Sequence, residues 1–255
     1  MDYEDFLKEV QAVRRPATYA AYRTALQKYF PQGNKQEVLQ VISDKNASPA
    51  SKKLRLTVFK AALSYYGELT PDIRRLINGF REDKKVQPCP SKSEVQAMFK
   101  QVHGNEHKLA FMLMAQNGLR VSEVCGLKVR DVNLSRKTLI LRNTKGHRDS
   151  VVPIVSPALL SLLQKVMQGK SSDDLLIGLA VGTVKNYIHA IAKRAGNLPY
   201  HAHSLRRYFA NALMRAGVPI ENIQTAMRHS SIETTRRYLN ISEDDTRRVL
   251  TEVFC

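Results

Sequence analysis

The residues best suited to chemistry in this chain are a tyrosine, two arginines and two histidines that occur in three separate segments. Arg120 lies in the first segment, His203 and Arg206 in the second, and His229 and Tyr238 in the third. A tyrosine hydroxyl that attacks phosphorus needs guanidinium groups nearby, because negative charge accumulates on the phosphate oxygens in the transition state. It also needs a group that protonates the leaving oxygen. These residue types in this order suit the cutting and rejoining of a phosphodiester.

Three segments around these residues carry a resemblance to a known family: NGLRVSEVCGLKVRDV at 117–132, HSLRR at 203–207 and RHSSIETTRRY at 228–238. They resemble the first arginine box, the H-x-L-R-H box and the G-H-s-s...T-T...Y box of the tyrosine site-specific recombinases. That family includes the Xer proteins and the phage or plasmid integrases. The resemblance makes Arg120 the first catalytic arginine and Glu123 its supporting acid.

The same resemblance assigns roles to the rest of the set. It makes Tyr238 the nucleophile and His229 a hydrogen-bond donor to the phosphate. It makes His203 and Arg206 phosphate-binding and acid/base residues. The implied reaction cuts one DNA strand at a time and leaves a 3′-phosphotyrosine and a free 5′ hydroxyl. Because the covalent link conserves the energy of the broken bond, the resemblance implies no cofactor, no ATP and no metal.

Two positions depart from the usual pattern of the family. Arg207 stands where the family commonly has a second histidine, and Arg228 where it commonly has glycine. Each lies within a matching box, but neither replaces a member of the expected catalytic set.

A lysine at the tip of a β-hairpin completes the expected site. Residues 138–143, TLILRN, are rich in β-formers, TKGHRD at 144–149 supplies a glycine-containing turn, and SVVPIV at 150–155 resumes a β-like run. By resemblance Lys145, in this turn, is the general acid that protonates the 5′ leaving oxygen. The alternative is an ordinary exposed loop lysine.

Other roles are open to these side chains. Arg120 could cap or salt-bridge a neighbouring helix, and Tyr238 could pack in a core as tyrosines commonly do. A zinc site could be built from three histidines and a cysteine: His201, His203, His229 and Cys125. No CxxC or HExxH spacing supports zinc, whereas the spacing of the boxes favours the phosphodiester chemistry.

The charge of the chain predicts a polyanionic partner. Its 255 residues include 40 Lys and Arg against 23 Asp and Glu, a formal net charge of +17. Phosphates that bind such a surface release counterions, which favours binding to double-stranded DNA. The excess is spread over both halves of the chain, so both are expected to touch DNA. A basic surface without a specific partner is the alternative.

Cysteine usage and hydropathy bear on the compartment. Cys89, Cys125 and Cys255 form neither an even disulfide framework nor a metal-binding spacing, which favours a reducing environment. No apolar run approaches the roughly 18 residues that span a bilayer. The sequence begins MDYEDF, without the basic start of a secretory signal. These observations predict a cytoplasmic protein with no membrane partner.

The chain is predicted to be mainly α with a small β-hairpin or sheet, arranged as a two-domain DNA clamp. Residues 1–85 resemble the helical core-binding domain of the family, and residues 91–255 resemble its catalytic domain. Residues 86–90 are predicted to be the linker, because a charged run ends there at Pro88 and Pro90.

Local signals mark the helices that must hold the site. TYAAYRTALQKYF at 18–30 places apolar residues at near-helical spacing. Ser91 and Glu94 have the capping-box spacing that opens a helix. Gly118 is predicted to end the helix that contains AFMLMAQN, which holds Arg120 on the turn just beyond it.

A C-terminal helix is predicted over 242–254. Ser242 and Asp245 give it an N-cap signal, and its apolar residues are helically spaced. In the resembling family such a helix packs into a neighbouring protomer, which implies a homo-oligomer, dimer to tetramer, on DNA. The alternative is that the helix folds back on its own domain.

The sequence therefore predicts a site-specific DNA recombinase, serving integration, excision or dimer resolution, with an accessory protein as a possible further partner. A type IB topoisomerase uses the same catalytic set as a monomer, and a catalytically idle DNA-binding protein could be built on the same fold. The complete residue set argues against the idle protein. The HSLRR box and the helical N-terminal part favour recombination over relaxation.

Overall fold

A computed structural model describes residues 1–81, 88–142, 149–196, 198–236, 238–239 and 251. The chain divides into two compact units, Met1–Lys85 and Val86–Cys255. The described residues are mainly helical with one three-stranded antiparallel sheet, which confirms the prediction of a mainly α fold with a small sheet. In the part of the chain that the structure describes, no helix is both long enough and apolar enough to span a bilayer.

The first unit contains five helices among its described residues: α1 Glu4–Val13, α2 Pro16–Tyr29, α3 Lys35–Ser43, α4 Pro49–Tyr65 and α5 Pro71–Gly79. Proline occupies the first position of α2, α4 and α5, where its missing N–H costs no helical hydrogen bond. Phe30 and Phe59 stack at the centre of the unit with ring centroids 4.1 Å apart. The apolar spacing of 18–30 thus corresponds to a real helix, α2.

The second unit begins with α6 Lys92–Lys100, which opens on the predicted capping box between Ser91 and Glu94. The helices that follow are α7 Asn105–Asn117, α8 Val121–Gly126, α9 Pro157–Met167, α10 Val181–Arg194, α11 Ala202–Arg215, α12 Ile220–Met227 and α13 Ile232–Arg236. The central helix is α7, in which Leu109 to Ala115 are all buried. It packs against α9 and α11.

The sheet lies between α8 and α9 in the chain. It consists of β1 Val132–Asn133, β2 Thr138–Leu141 and β3 Ser150–Pro153, in that order and antiparallel. Leu141 pairs with Ser150, so β2 and β3 are the two strands of the predicted hairpin. The tip with Lys145 lies outside the described residues, as does the predicted helix 242–254 apart from Thr251.

Candidate active site

The turn after α7 carries the first arginine of the predicted set. α7 ends at Asn117, and Gly118 follows in the left-handed conformation with φ 61°, as the sequence predicts. Arg120 then lies immediately before α8. Glu123, in the first turn of α8, accepts a hydrogen bond from the Arg120 backbone N at 2.8 Å and another from Arg120 Nη1 at 2.6 Å. One carboxylate therefore holds both the backbone and the guanidinium of Arg120.

Helix α11 carries His203 and Arg206 three residues apart, so the two side chains share one face. Arg206 is only 1% exposed, and its Nη1 and Nη2 donate to the carbonyls of Gly118 and Met227. It thereby ties α11 to the turn after α7 and to the end of α12. Burial, followed by the charge of Arg120, lowers the pKa of Arg206 to about 10, which leaves it protonated at neutral pH.

The segment after α12 brings in the second histidine and the tyrosine. His229 is buried, with Nδ1 3.0 Å from Thr235 Oγ1 of α13. The Tyr238 hydroxyl lies 2.7 Å from His203 Nε2, and the Tyr238 ring lies 4.8 Å from the His229 ring between centroids. Asn211 Nδ2 of α11 donates to the Tyr238 carbonyl at 2.7 Å. The three sequence segments therefore meet at one place in the fold.

The site carries an excess of positive charge. Three guanidinium groups surround the Glu123 carboxylate: Arg120 at 2.6 Å, Arg228 at 3.3 Å and Arg206 at 3.9 Å. Burial by itself raises the pKa of Glu123, but the hydrogen bond from the Arg120 backbone and the charge of Arg228 outweigh it, so the pKa lies below its usual value. The carboxylate is therefore ionised. Three positive charges and one negative charge leave a net charge of two, which suits an anionic ligand.

Both histidines of the site are neutral at pH 7. Desolvation, followed by the charge of Arg206, lowers the pKa of His203 and that of His229 to about 4. His229 Nε2 and Arg206 Nε are buried and have no hydrogen-bond partner among the described residues. Buried polar groups in folded proteins are normally paired. These two nitrogens are therefore available for a ligand that brings acceptor atoms.

A cavity of about 450 Å³ adjoins the cluster. Its lining includes Arg120, His203 and Arg206 from the predicted set. Lys185 of α10 and the imidazole of His201 also line it. The volume lies within the usual range for ligand pockets. The polar side chains that line it are basic, apart from Ser122, so the cavity is suited to a phosphate.

The structure also bears on residues whose roles the sequence left open. Arg207 lies with its guanidinium 5.4 Å from the centre of the Tyr238 ring, a favourable distance for a cation over an aromatic face. Within the described ranges, no group of three or more His, Cys, Asp and Glu side chains could hold a metal ion. The histidines that the zinc alternative would use are thus not arranged as such a group.

The sequence did not predict the contacts that three residues make at the site. Asn211 bonds to a carbonyl 27 residues away, and Lys185 reaches the cavity from a helix that no motif covers. Arg228 attracted notice only because it stands at a position where glycine is usual. Its contact with Glu123 spans 105 residues. One sequence signal pointed to any of these three residues: Asn211 lies four residues after Arg207, on the same helix face.

The sequence is similar to proteins that recombine DNA. The model of the phage integrase family matches residues 91–244. The tyrosine recombinase XerA of Pyrococcus horikoshii is 27% identical over 247 residues, which cover 91% of this chain and 86% of that protein.

Solved structures share the fold. The crystal structure of XerA recombinase superposes with a TM-score of 0.60 at 20% identity, covering 99% of this chain and 98% of the other. A lambda integrase dimer bound to a COC′ core site gives a TM-score of 0.76 at 17% identity, covering 96% of this chain and 77% of the other.

Proposed function

The chain belongs to the phage integrase family, and we propose that it is a tyrosine recombinase that cuts and rejoins DNA at specific sites with Tyr238 as its nucleophile. One observation carries this proposal. The Tyr238 hydroxyl lies 2.7 Å from His203 Nε2, beside a cluster with two excess positive charges. In this proposal, the groups that serve as nucleophile, proton acceptor and phosphate-binding cluster are next to one another.

In the proposed first step, the Tyr238 oxygen attacks phosphorus. A bond forms between that oxygen and phosphorus, and the bond from phosphorus to the 5′ oxygen breaks. His203 is neutral at pH 7, so its Nε2 has a lone pair that accepts the phenolic proton. A bound phosphate brings negative charge beside the ring, which raises the pKa of His203 and makes it a stronger base than in the free protein. The product is a 3′-phosphotyrosine.

Arg120, Arg206 and His229 bind the phosphate in this proposal. Charge that develops on the phosphate oxygens is stabilised best by donors that are already fixed in place. Glu123 fixes Arg120, and the carbonyls of Gly118 and Met227 fix Arg206.

His229 supplies a further donor. Thr235 can donate its hydroxyl to His229 Nδ1 at 3.0 Å, which places the ring proton on Nε2. Because Nε2 has no partner among the described residues, its N–H is free to bind a phosphate oxygen.

Lys145 is proposed as the acid that protonates the departing 5′ oxygen. It belongs to the segment that joins β2 to β3, and those strands pair from Thr138 with Pro153 to Leu141 with Ser150. A long cationic side chain on such a connection suits proton delivery to a phosphate in a groove of DNA.

The proposed substrate is a pair of double-stranded DNA sites bound by two to four copies of the chain. The net charge of +17 favours DNA, and the related lambda integrase structure is a dimer on a core site. Lys185, which lines the cavity, is proposed to contact a phosphate next to the one that is cut. We propose that the predicted helix 242–254 couples neighbouring copies.

The experiment uses nicked suicide duplexes that carry inverted repeats selected for binding from a random duplex pool. Wild-type protein should form a covalent protein–DNA adduct. The control variant Tyr208→Phe should form it too, because Tyr208 is a half-buried tyrosine of α11 outside the proposed catalytic set. Tyr238→Phe removes one oxygen and no charge, so it should bind the duplex and form no adduct.

An adduct with Tyr238→Phe would assign the nucleophile elsewhere. Relaxation of supercoiled plasmid by a monomer, with no strand exchange between two sites, would favour the topoisomerase alternative.

A further inference from the structure

Arg228 occupies a backbone position that suits glycine. It ends α12 with φ 54° and ψ 46°, in the left-handed region. Side chains with a Cβ are disfavoured there, and helices commonly place glycine or asparagine at such an end. Lys137 is the other non-glycine residue with positive φ in the described part of the chain. A buried arginine in this conformation calls for contacts that compensate for the strain.

The guanidinium of Arg228 joins three segments of the site. Nη1 donates to the Ala226 carbonyl at 2.9 Å, and Nη2 donates to the Gly118 carbonyl at 3.0 Å and to Glu123 Oε2 at 3.3 Å. The side chain is only 8% exposed. It connects the end of α12, the turn after α7 and the first turn of α8.

Arg228 holds the side of the Glu123 carboxylate that faces Arg206. Oε1 of Glu123 accepts from Arg120 Nη1, whereas Oε2 accepts from the Arg120 backbone N and from Arg228. Arg206 Nη1 lies 3.9 Å from the same Oε2. Without Arg228, Arg206 would be the nearest remaining guanidinium on that side of the carboxylate, and the attraction would draw it toward Glu123.

Both terminal nitrogens of Arg228 already donate to protein groups. The lining of the 450 Å³ cavity includes Arg120 and Arg206 but not Arg228. Its effect on a bound phosphate would therefore pass through Glu123 and the other arginines of the cluster.

We infer that Arg228 is a positioning residue: it neutralises Glu123 Oε2 and thereby leaves Arg206 directed at the phosphate. This inference rests on the proposed function. It also explains why an arginine occupies a strained backbone position. Only from the end of α12 does its side chain make the contacts with Glu123 and Gly118 that offset the strain. Loss of Arg228 would reduce the excess charge of the cluster from two to one and release Glu123 to compete with DNA for Arg206.

The test compares Arg228→Gly, Arg228→Lys, Glu123→Gln and the double variant Arg228→Gly/Glu123→Gln. Glycine accepts the left-handed backbone without strain, so Arg228→Gly removes the guanidinium and keeps the turn. Adduct formation is measured in a single turnover on the nicked duplex at saturating protein, and binding by gel shift. Arg228→Gly should bind nearly as well as wild type but cleave about 10- to 100-fold more slowly, the scale of a small misplacement at a reacting centre. Arg228→Lys should recover part of this rate, because it retains the charge.

The double variant separates positioning from packing. In the wild-type background, Glu123→Gln should slow cleavage, because Arg120 loses its ion pair. In the Arg228→Gly background it should speed cleavage, because the unneutralised carboxylate that draws Arg206 away is removed. A packing role for Arg228 would let Glu123→Gln slow cleavage by the same factor in both backgrounds.

Three outcomes would overturn the inference. They are Arg228→Gly cleavage within about twofold of wild type, equal slowing by Glu123→Gln in both backgrounds, and an Arg228→Lys rate no higher than that of Arg228→Gly. Circular dichroism and thermal unfolding check that each variant is folded. If Arg228→Gly is unfolded, the ratio of cleavage to binding for Arg228→Lys against wild type decides, and an unchanged ratio refutes the inference. Absence of an adduct with wild type, or an adduct with Tyr238→Phe, would instead overturn the proposed function.

Discussion

Replacing Gly118 by alanine tests how closely the turn that carries Arg120 is tied to α11. Gly118 has φ 61°, and a Cβ added there would lie 2.8 Å from Cε1 and 3.1 Å from Cγ of Phe209. Phe209 lies on α11, three residues after Arg206. Because Arg206 and Arg228 both donate to the Gly118 carbonyl, any movement of the turn also moves their acceptor.

The magnitude has two parts. An alanine in the left-handed region costs about 1–2 kcal/mol, and forcing extra volume against a packed ring costs about 1–3 kcal/mol. The free energy of unfolding should therefore fall by roughly 2–5 kcal/mol. Cleavage should slow by about 100-fold, because a displacement near 1 Å at a reacting centre has an effect of that size.

Two other glycines separate these parts. Gly217 has φ 76° but no heavy atom within 4 Å of an added Cβ, so Gly217→Ala carries the backbone cost alone. Gly182 lies in α10, also without a close neighbour, so Gly182→Ala should be neutral or stabilising by up to about 1 kcal/mol. Denaturant unfolding and single-turnover adduct formation provide the measurements. The reasoning is refuted if Gly118→Ala is no less stable than Gly217→Ala, or if it cleaves at the wild-type rate.

Three further predictions concern separate parts of the site. Asn211→Leu removes the donor to the Tyr238 carbonyl, so it should lower the free energy of unfolding by about 1–3 kcal/mol and slow adduct formation without weakening DNA binding. Lys145→Ala should cleave poorly on ordinary DNA but recover on a duplex whose bridging 5′ oxygen is replaced by sulfur, because a thiolate leaves without a proton. His229 should titrate near pH 4 in the free protein, measured by NMR. Because an unfolded histidine binds its proton near pH 6.5, stability should rise from about pH 4 to 6.5 and then level off.

Each of these predictions has a result that contradicts it. Normal adduct formation by Asn211→Leu would show that the carbonyl contact does not position Tyr238. Equal impairment of Lys145→Ala on oxygen and sulfur substrates would assign the lysine to DNA binding alone. A His229 midpoint near pH 6.5 would show that neither burial nor the arginines perturb the ring, and the contribution of His229 to the slope of stability against pH in that window would then be lost.

Sequence patterns predicted the parts of this molecule that depend on neighbours in the chain. The capping box of Ser91 and Glu94 and the left-handed end of α7 at Gly118 are local, because they depend on backbone groups within a few residues. The strands β2 and β3 were marked by β-formers on both sides of a turn. The two-residue strand β1 was missed, because two residues are too few to show an alternating pattern.

The contacts that organise the site were not predictable in this way. Arg206 donates to a carbonyl 88 residues earlier in the chain, and Arg228 reaches Glu123 across 105 residues. Nothing in the spacing of residues specifies which carbonyl a buried guanidinium will find, because that depends on how α7, α11 and α12 pack. The motifs predicted which residues carry the chemistry, and tertiary packing determined what holds those residues in place.

Three departures from ordinary protein architecture lie close together in the second unit. A buried arginine bonded to carbonyls, a left-handed arginine at a helix end and a buried histidine nitrogen without a described partner lie within one cluster. Each of these features opposes stability when taken alone. Their concentration around Tyr238 is expected if the free protein is arranged for a charge that it does not itself contain. In the proposed reaction the phosphodiester brings one negative charge, and the attacking Tyr238 oxygen adds a second as its proton moves to His203. The fixed donors around Glu123 therefore suit the charge that develops on the phosphate oxygens in the proposed transition state.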